Sequence, residues 1–204
     1  MNILVATPCQ DFINSQAAMS LLSLTSNDDI RYRMTLTTMV YDARNDLTEA
    51  AFEVGADRVM WIDSDMIVPR DIIDRLGADL DEGRDFVSAL YFSRKEERKP
   101  VLFENLSFER KGQYVTPHAD FYMDYPKDSV FRIAGCGFGA CLMNIDVLKK
   151  VNDKYGAPFN LLPGFGEDIS FCYRCREIGI DVWCDSRVKC GHIGQYIFTE
   201  EDYK

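Results

Sequence analysis

At 204 residues the chain suits one domain, on an allowance of about 100 to 200 residues per domain, and its 47% hydrophobic and 27% charged side chains exclude wholesale disorder. Twenty-three Lys and Arg against 33 Asp and Glu leave a net charge of −10, the wrong sign for a nucleic-acid coat, though a local phosphate pocket stays open. The start, Met1-Asn2-Ile3-Leu4, has no basic leader, and the longest run without a polar side chain, Ile133–Met143, is well short of the roughly 18 residues of a membrane span. No transmembrane segment and a cytoplasmic location are therefore expected.

In chain order, residues 3–6 read as a buried parallel strand that stops at Thr7-Pro8. A helix is predicted over 12–24 and an alternating strand over 30–37. Leu47, Ala50, Ala51 and Val54 then recur at helical spacing before Gly55. A third strand covers 59–62. Pro69 marks a helix start ahead of Ile72, Ile73 and Leu76, with Gly77 or Gly83 as its end, and 86–92 reads as another strand. Residues 94–128 are charged, aromatic and irregular, with short strands at best. A strand over 140–144, helices from Asp146 and over 167–178, and short strands over 181–184 and 188–190 complete the pattern. Strands alternating with helices at these lengths define an open, mostly parallel α/β sheet.

The sharpest local signal is Trp61-Ile62-Asp63-Ser64-Asp65. Two carboxylates at i and i+2 past the carboxyl end of a buried strand repel each other unless a cation lies between them, and that edge of an open α/β sheet is where ligands bind. Oxygen donors favour Mg²⁺ or Mn²⁺; the alternative is a pair of solvated turn acids. Arg44, within Asp42-Ala43-Arg44-Asn45-Asp46 at a helix start, opposes the helix dipole unless an anionic ligand docks there; otherwise Asp42 and Asp46 balance it on the surface. Gly164-Phe165-Gly166-Glu167-Asp168 opens the helix that carries Phe171, Cys175 and Ile178, so its acids are either caps or a general base between glycines that let substrate approach. His192, between Gly191 and Gly194, is a plausible neutral ligand for Mn²⁺, whereas His118 has no supporting pattern. Cys172 and Cys175 could form half of a zinc site completed by Cys184, Cys190 or His192, but inside a helical pattern they read as small core residues. Gly135-Cys136-Gly137-Phe138-Gly139 runs into an apolar strand rather than a helix and fails as a dinucleotide fingerprint; a P-loop, a nucleophile elbow and HExxH are all absent.

Thr7-Pro8, Ala43-Arg44-Asn45, the DxD of Asp63–Asp65, Gly137–Gly139, Gly166-Glu167-Asp168 and Gly191-His192 occur in the order and approximate spacing of the GT-A glycosyltransferases, and the chain resembles that family, in its family 2-like, compact bacterial or phage form, over about residues 1–195. The resemblance implies one GT-A domain with a Rossmann-like sheet: a nucleotide-sugar-binding half at 1–93, an irregular insertion at 94–128 and an acceptor and catalytic half at 129–204. It also implies metal-dependent transfer of a sugar from a nucleoside-diphosphate sugar, UDP-sugar before GDP-sugar, to a carbohydrate or other hydroxyl acceptor.

By the same resemblance Thr7, Pro8, Arg44, Asn45, Asp63, Ser64 and Gly137 would face the donor. Asp65 and His192, with Asp63 directly or through water, would hold Mn²⁺ or Mg²⁺, and Asp168, or Glu167, would deprotonate the acceptor or, in a retaining enzyme, orient substrate. The chain stops soon after His192, so acceptor contacts are expected from Tyr114, Phe121, Tyr122 and Tyr125 of the insertion, which alternatively pack into the core, or from a second copy in a homo-oligomer. Two other functions fit the α/β class: a nucleotidyltransferase that makes nucleotide sugars, for which Cys9-Gln10-Asp11-Phe12 is a poor loop, and a silent binding module that keeps the site without turnover.

Overall fold

The structure, a computed structural model, describes residues 1–37, 39–94 and 97–194. From the N-terminus run β1 (Asn2–Cys9), α1 (Ser15–Leu22), β2 (Asp29–Leu36), α2 (Val40–Glu53), β3 (Arg58–Ile62), β4 (Met66–Ile67), α3 (Ile72–Asp81) and β5 (Phe86–Leu90). They are followed by β6 (Leu102–Lys111), β7 (Tyr114–Phe121), β8 (Val130–Ile133), β9 (Gly135–Cys136), β10 (Ala140–Asn144), α4 (Ile145–Tyr155), α5 (Glu167–Glu177), β11 (Val182–Lys189) and β12 (Gly191–His192).

Seven strands form the central sheet in the order β2-β1-β3-β10-β5-β11-β8. Strands β10 and β8 run against the other five, so the sheet is largely parallel, with β10 from late in the chain threaded between β3 and β5. The inner strands β1, β3, β5 and β10 are buried along almost their whole length because both faces are covered, whereas the edge strand β2 carries Arg31, Arg33 and Thr35 and is largely exposed. On one face Leu4, Ala6, Val59, Trp61, Phe86, Cys141 and Met143 meet residues of α2, α4 and α5. On the other, Ile3, Val5, Met60, Ile62, Val87, Ala89 and Leu142 meet Leu21 of α1 and Ile72, Ile73, Leu76 and Leu80 of α3. The period of two between these sets is the pleat of the sheet.

Helix ends follow local chemistry. The Asn14 side chain accepts from the Gln16 backbone N–H at 2.8 Å and caps α1, three residues later than the predicted start at 12. Gly77 lies inside α3, and Gly83, at φ +92°, ends that helix region. The predicted strands at 181–184 and 188–190 are one strand, β11, whose pairing with β5 shifts register between Asp185 and Lys189. There Arg187 Nε donates to Asp185 Oδ1 at 2.8 Å and its Nη2 to Asp79 Oδ1 at 3.1 Å, tying the bulge to α3.

The expected irregular insertion is instead a long antiparallel hairpin, β6–β7, extended by β9 into a three-stranded sheet. Its turn uses Gly112 at φ +63°. Much of its length pairs polar residues, such as Ser107 with His118 and Glu109 with Thr116, so there is little apolar alternation to read. Three of its candidate sugar-stacking aromatics pack inward: Phe121 lies 4.9 Å from Phe103, and Tyr122 and Tyr125 pack on Phe131. Only Tyr114, near the hairpin tip, is largely exposed among the four. Cys172 and Cys175 are fully buried in α5 against the core, and burial pushes both thiols well above their ordinary range, which replaces the zinc reading with core packing.

Candidate active site

The site forms where β1, β3 and β5 end at their carboxyl edge and α2 and α5 begin. Arg44 stands one turn into α2, its side chain only 2% exposed. Its Nη2 donates to Asp63 Oδ1 at 2.8 Å and its Nε to Glu167 Oε1 at 3.2 Å, while the guanidinium lies 5.6 Å from the Trp61 ring and 5.2 Å from that of Phe138. This corrects the surface alternative, since neither Asp42 nor Asp46 is its partner. Burial works against the charge of Arg44, but Asp63, Glu167 and Asp168 outweigh it and hold the guanidinium protonated, above its ordinary range. Its buried Nη1 has no partner among the described residues. A buried donor left unpaired is costly.

The DxD segment is fixed from two sides. The Asp63 N–H donates to the Gly139 carbonyl at 3.0 Å, which ties the end of β3 to the glycine-rich segment, and the Ile193 N–H donates to the Asp65 carbonyl at 2.8 Å. Beside it β12 pairs with β4, His192 opposite Met66 and Gly191 opposite Ile67. A Cβ on Gly191 would lie 3.4 Å from Ile67 Cβ, an ordinary packing distance. The clip brings His192 Nε2 to 3.6 Å from Asp65 Oδ1 and sets His192 Nδ1 2.9 Å from the Phe92 carbonyl.

That arrangement fits a divalent cation. With its Nδ1–H given to a carbonyl, the imidazole presents the Nε2 lone pair toward a carboxylate oxygen, two electron-rich atoms that a proton or metal must separate. Among the described residues no group of three or more His, Cys, Asp and Glu converges as a metal cage. The pair therefore offers two donors, an N/O set suited to Mn²⁺ or Mg²⁺ whose coordination a ligand and water would complete. Asp63 is held by Arg44 instead of joining the pair. Burial raises its carboxyl despite the opposing pull of Arg44. For Asp65, burial is outweighed by His192 and Arg94, and its carboxyl sits below the ordinary range.

The two acids of α5 part company. Glu167 is committed to Arg44. Asp168 accepts from the Ile169 N–H at 2.7 Å, and burial, reinforced by Glu167, pushes its pKa up to about 7. A Cβ on Gly166 would stand 2.9 Å from Asp168 Oδ1, so a larger residue there would displace that carboxylate. Gly164, at φ +81°, lies against Pro117 of the hairpin, 2.4 Å from where its Cβ would be.

Two cavities of about 330 and 430 Å³ share Arg44, Asp63, Asp65, Arg94 and Glu167 in their walls and form two lobes of one cleft. Pro8 and Ser64 line the first lobe, and Asp168 and His192 line the second. A larger cavity, about 540 Å³, lies at the far end of α5 beside β8 and contains none of these residues.

Three predicted donor residues stand behind the cleft. Thr7 is buried in β1, and Asn45 turns to the loop at 159–160, accepting from the Phe159 N–H at 3.0 Å. Gly137 packs on Tyr91, whose hydroxyl would lie 2.1 Å from a Cβ at that position. Sequence reasoning missed Arg94, Tyr91, Ser93 and Phe138, which share the second lobe. The strand-end rule that singled out Asp63 would have found Arg94 too, since it is the first charged residue after β5.

No protein-family model matches the chain, and no curated protein matches it. Solved structures do. The crystal structure of A197 from STIV superposes with a TM-score of 0.69 at 17% identity, covering 96% of this chain and 87% of that one. The crystal structure of GalNAc-T7 with UDP, GalNAc and Mn²⁺ superposes with a TM-score of 0.63 at 11% identity, covering 95% of this chain and 44% of that one. The chain thus has an α/β fold of the GT-A type, with a largely parallel central sheet flanked by helices. Among the described residues no helix is long and apolar enough to cross a membrane.

Proposed function

We propose that the chain is a metal-dependent glycosyltransferase, a hexosyltransferase that moves a sugar from a nucleoside-diphosphate sugar, a UDP-sugar before a GDP-sugar, to a carbohydrate or other acceptor hydroxyl. The observation that carries this reading is the seating of Asp65 and His192 beside the Arg44–Asp63–Glu167 network, at the ligand-binding edge of a GT-A-type sheet. The likeness to a protein solved with UDP, GalNAc and Mn²⁺ supports the donor class.

Asp65 and His192 would hold Mn²⁺ or Mg²⁺, which when bound supplies Lewis-acid stabilisation of the leaving diphosphate. Arg44, oriented by Asp63 and Glu167 in the wall of both lobes, would place its positive charge beside the same developing charge, and its burial makes that charge worth more than one in water. Pro8 and Ser64 wall the donor lobe, while Thr7, Asn45 and Gly137 support it from behind. Asp168 lies in the second lobe as the general base: the acceptor oxygen forms its bond to the anomeric carbon, the acceptor proton passes to Asp168, and the bond between sugar and diphosphate breaks with its electron pair on the diphosphate. A carboxyl with pKa near 7 is half ionised at neutral pH and strong enough to accept that proton.

The test is release of nucleoside diphosphate from a panel of UDP- and GDP-sugars with Mn²⁺, with and without chelator. Release from one donor class, abolished by chelation and in Asp65→Ala, is expected. Pyrophosphate release from a nucleoside triphosphate and a sugar phosphate, with no donor consumed, would replace the reading with a nucleotidyltransferase; binding without any release would replace it with a silent module.

A further inference from the structure

Arg94 bridges the two chain segments that build the cation seat. Its Nη1 lies 2.7 Å from Asp65 Oδ2 and 3.3 Å from the Ile193 carbonyl, and Gly194 packs on its stem, where a Cβ would stand 3.7 Å from Arg94 Cβ. It belongs to both lobes of the cleft. The contrast with Arg44 is sharp. Arg44 is 2% exposed and held by two acids, whereas the Arg94 side chain is 50% exposed, has Asp65 as its one acidic partner among the described residues and lies outside any helix or strand.

A guanidinium on Asp65 Oδ2 and a divalent cation at the facing Asp65–His192 pair repel strongly at contact range. One carboxylate does not serve both without cost. The exposed side of Arg94 leaves its guanidinium free to swing about a flexible stem, and its planar fork matches a phosphate as well as a carboxylate.

We propose that Arg94 is an exchangeable counter-cation: it neutralises Asp65 while no divalent ion is bound and, when one is, passes to the diphosphate of the donor. This rests on the transferase reading above and adds to it a binding residue and a coupling. Arg94 opposes metal binding in the absence of nucleotide and favours nucleotide binding in the presence of metal, so the two ligands bind with positive cooperativity.

The experiment uses Mn²⁺ alone and then UDP as probes. Free Mn²⁺ is followed by electron paramagnetic resonance during titration of wild type, Arg94→Ala and Arg94→Lys, and UDP affinity is then measured by calorimetry at saturating Mn²⁺. Arg94→Ala is expected to bind Mn²⁺ alone several-fold to about tenfold more tightly, because a competing charge is gone, and UDP about tenfold or more weakly, because a charge-assisted pair is lost. Arg94→Lys, which keeps the charge but loses the fork, is expected to resemble wild type toward Mn²⁺ and fall between the two toward UDP. Unchanged or weaker Mn²⁺ binding by Arg94→Ala overturns the proposal and leaves the transferase reading standing. Unchanged UDP affinity overturns it equally. Failure of folded wild type to bind either UDP or GDP with Mn²⁺ removes both; where GDP alone binds, it takes the place of UDP as the probe.

Discussion

In Asp168→Asn the carboxyl that burial pushes up to about 7 becomes an amide of the same shape that carries no charge at any pH. The folded protein holds the Asp168 proton to about pH 7, whereas the unfolded chain releases it near 3.8, so the folded state binds more protons between those values. Stability contributed by this group is therefore full below pH 3.8, falls as pH rises to about 7, and stays lost above it. The whole shift corresponds to about 4 kcal/mol at about 1.36 kcal/mol per unit. Asp168 keeps part of its exposure, and its titration is shared with Glu167, Asp63 and Arg44, so roughly 2 kcal/mol is the expected effect at pH 8. Urea unfolding of wild type and Asp168→Asn at pH 5 and pH 8 reads it directly. The variant should gain roughly 2 kcal/mol at pH 8 and much less at pH 5, while sugar transfer falls by about 10²-fold or more and UDP affinity holds. A variant no more stable at pH 8 than at pH 5, relative to wild type, would refute the argument that burial raises this carboxyl. Loss of UDP binding instead of transfer would remove its role as base.

Asp65→Ala should lose Mn²⁺-dependent UDP binding in calorimetry while its urea midpoint stays within about 0.5 kcal/mol of wild type, because a partly exposed loop acid contributes little to the core. Arg44→Met should cost about 3 kcal/mol in the same unfolding assay, since it strands Asp63 and Glu167 beside each other without their cation. Gly137→Ala places a methyl 2.1 Å from the Tyr91 hydroxyl and 2.7 Å from Val101, with an expected cost of about 1 to 3 kcal/mol. Because the Tyr91 ring packs edge-on against His192 at 5.5 Å, that variant should also weaken Mn²⁺ binding, which a nucleotide titration against metal concentration would detect.

The inner strands β1, β3, β5 and β10 are readable because double-sided burial makes them largely apolar, and the DxD acids because they follow such a strand directly; β2 shows itself only by alternation, and the short edge strand β8, four residues with Arg132 among them, carries no pattern to read. His192 is singled out by its glycine neighbours, and the β4–β12 pairing carries it to Asp65. The hairpin at 102–121 was not readable: its polar pairs leave the usual period of two without an apolar face. The partners of Arg44 also lay beyond local pattern, since Asp63 is 19 residues away and Glu167 is 123. Asn45 and Gly137 look like binding residues by motif. Local pattern does not show their neighbours in space, the 159–160 loop and Tyr91.

The decisive measurement is calorimetric titration of the folded protein with UDP, GDP, CDP and dTDP, each with and without Mn²⁺. One nucleoside diphosphate, UDP first, is expected to bind, in a manner that depends on Mn²⁺ and disappears in Asp65→Ala. Binding of none of the four, or binding of one with the same affinity in the presence of chelator, would contradict the transferase reading.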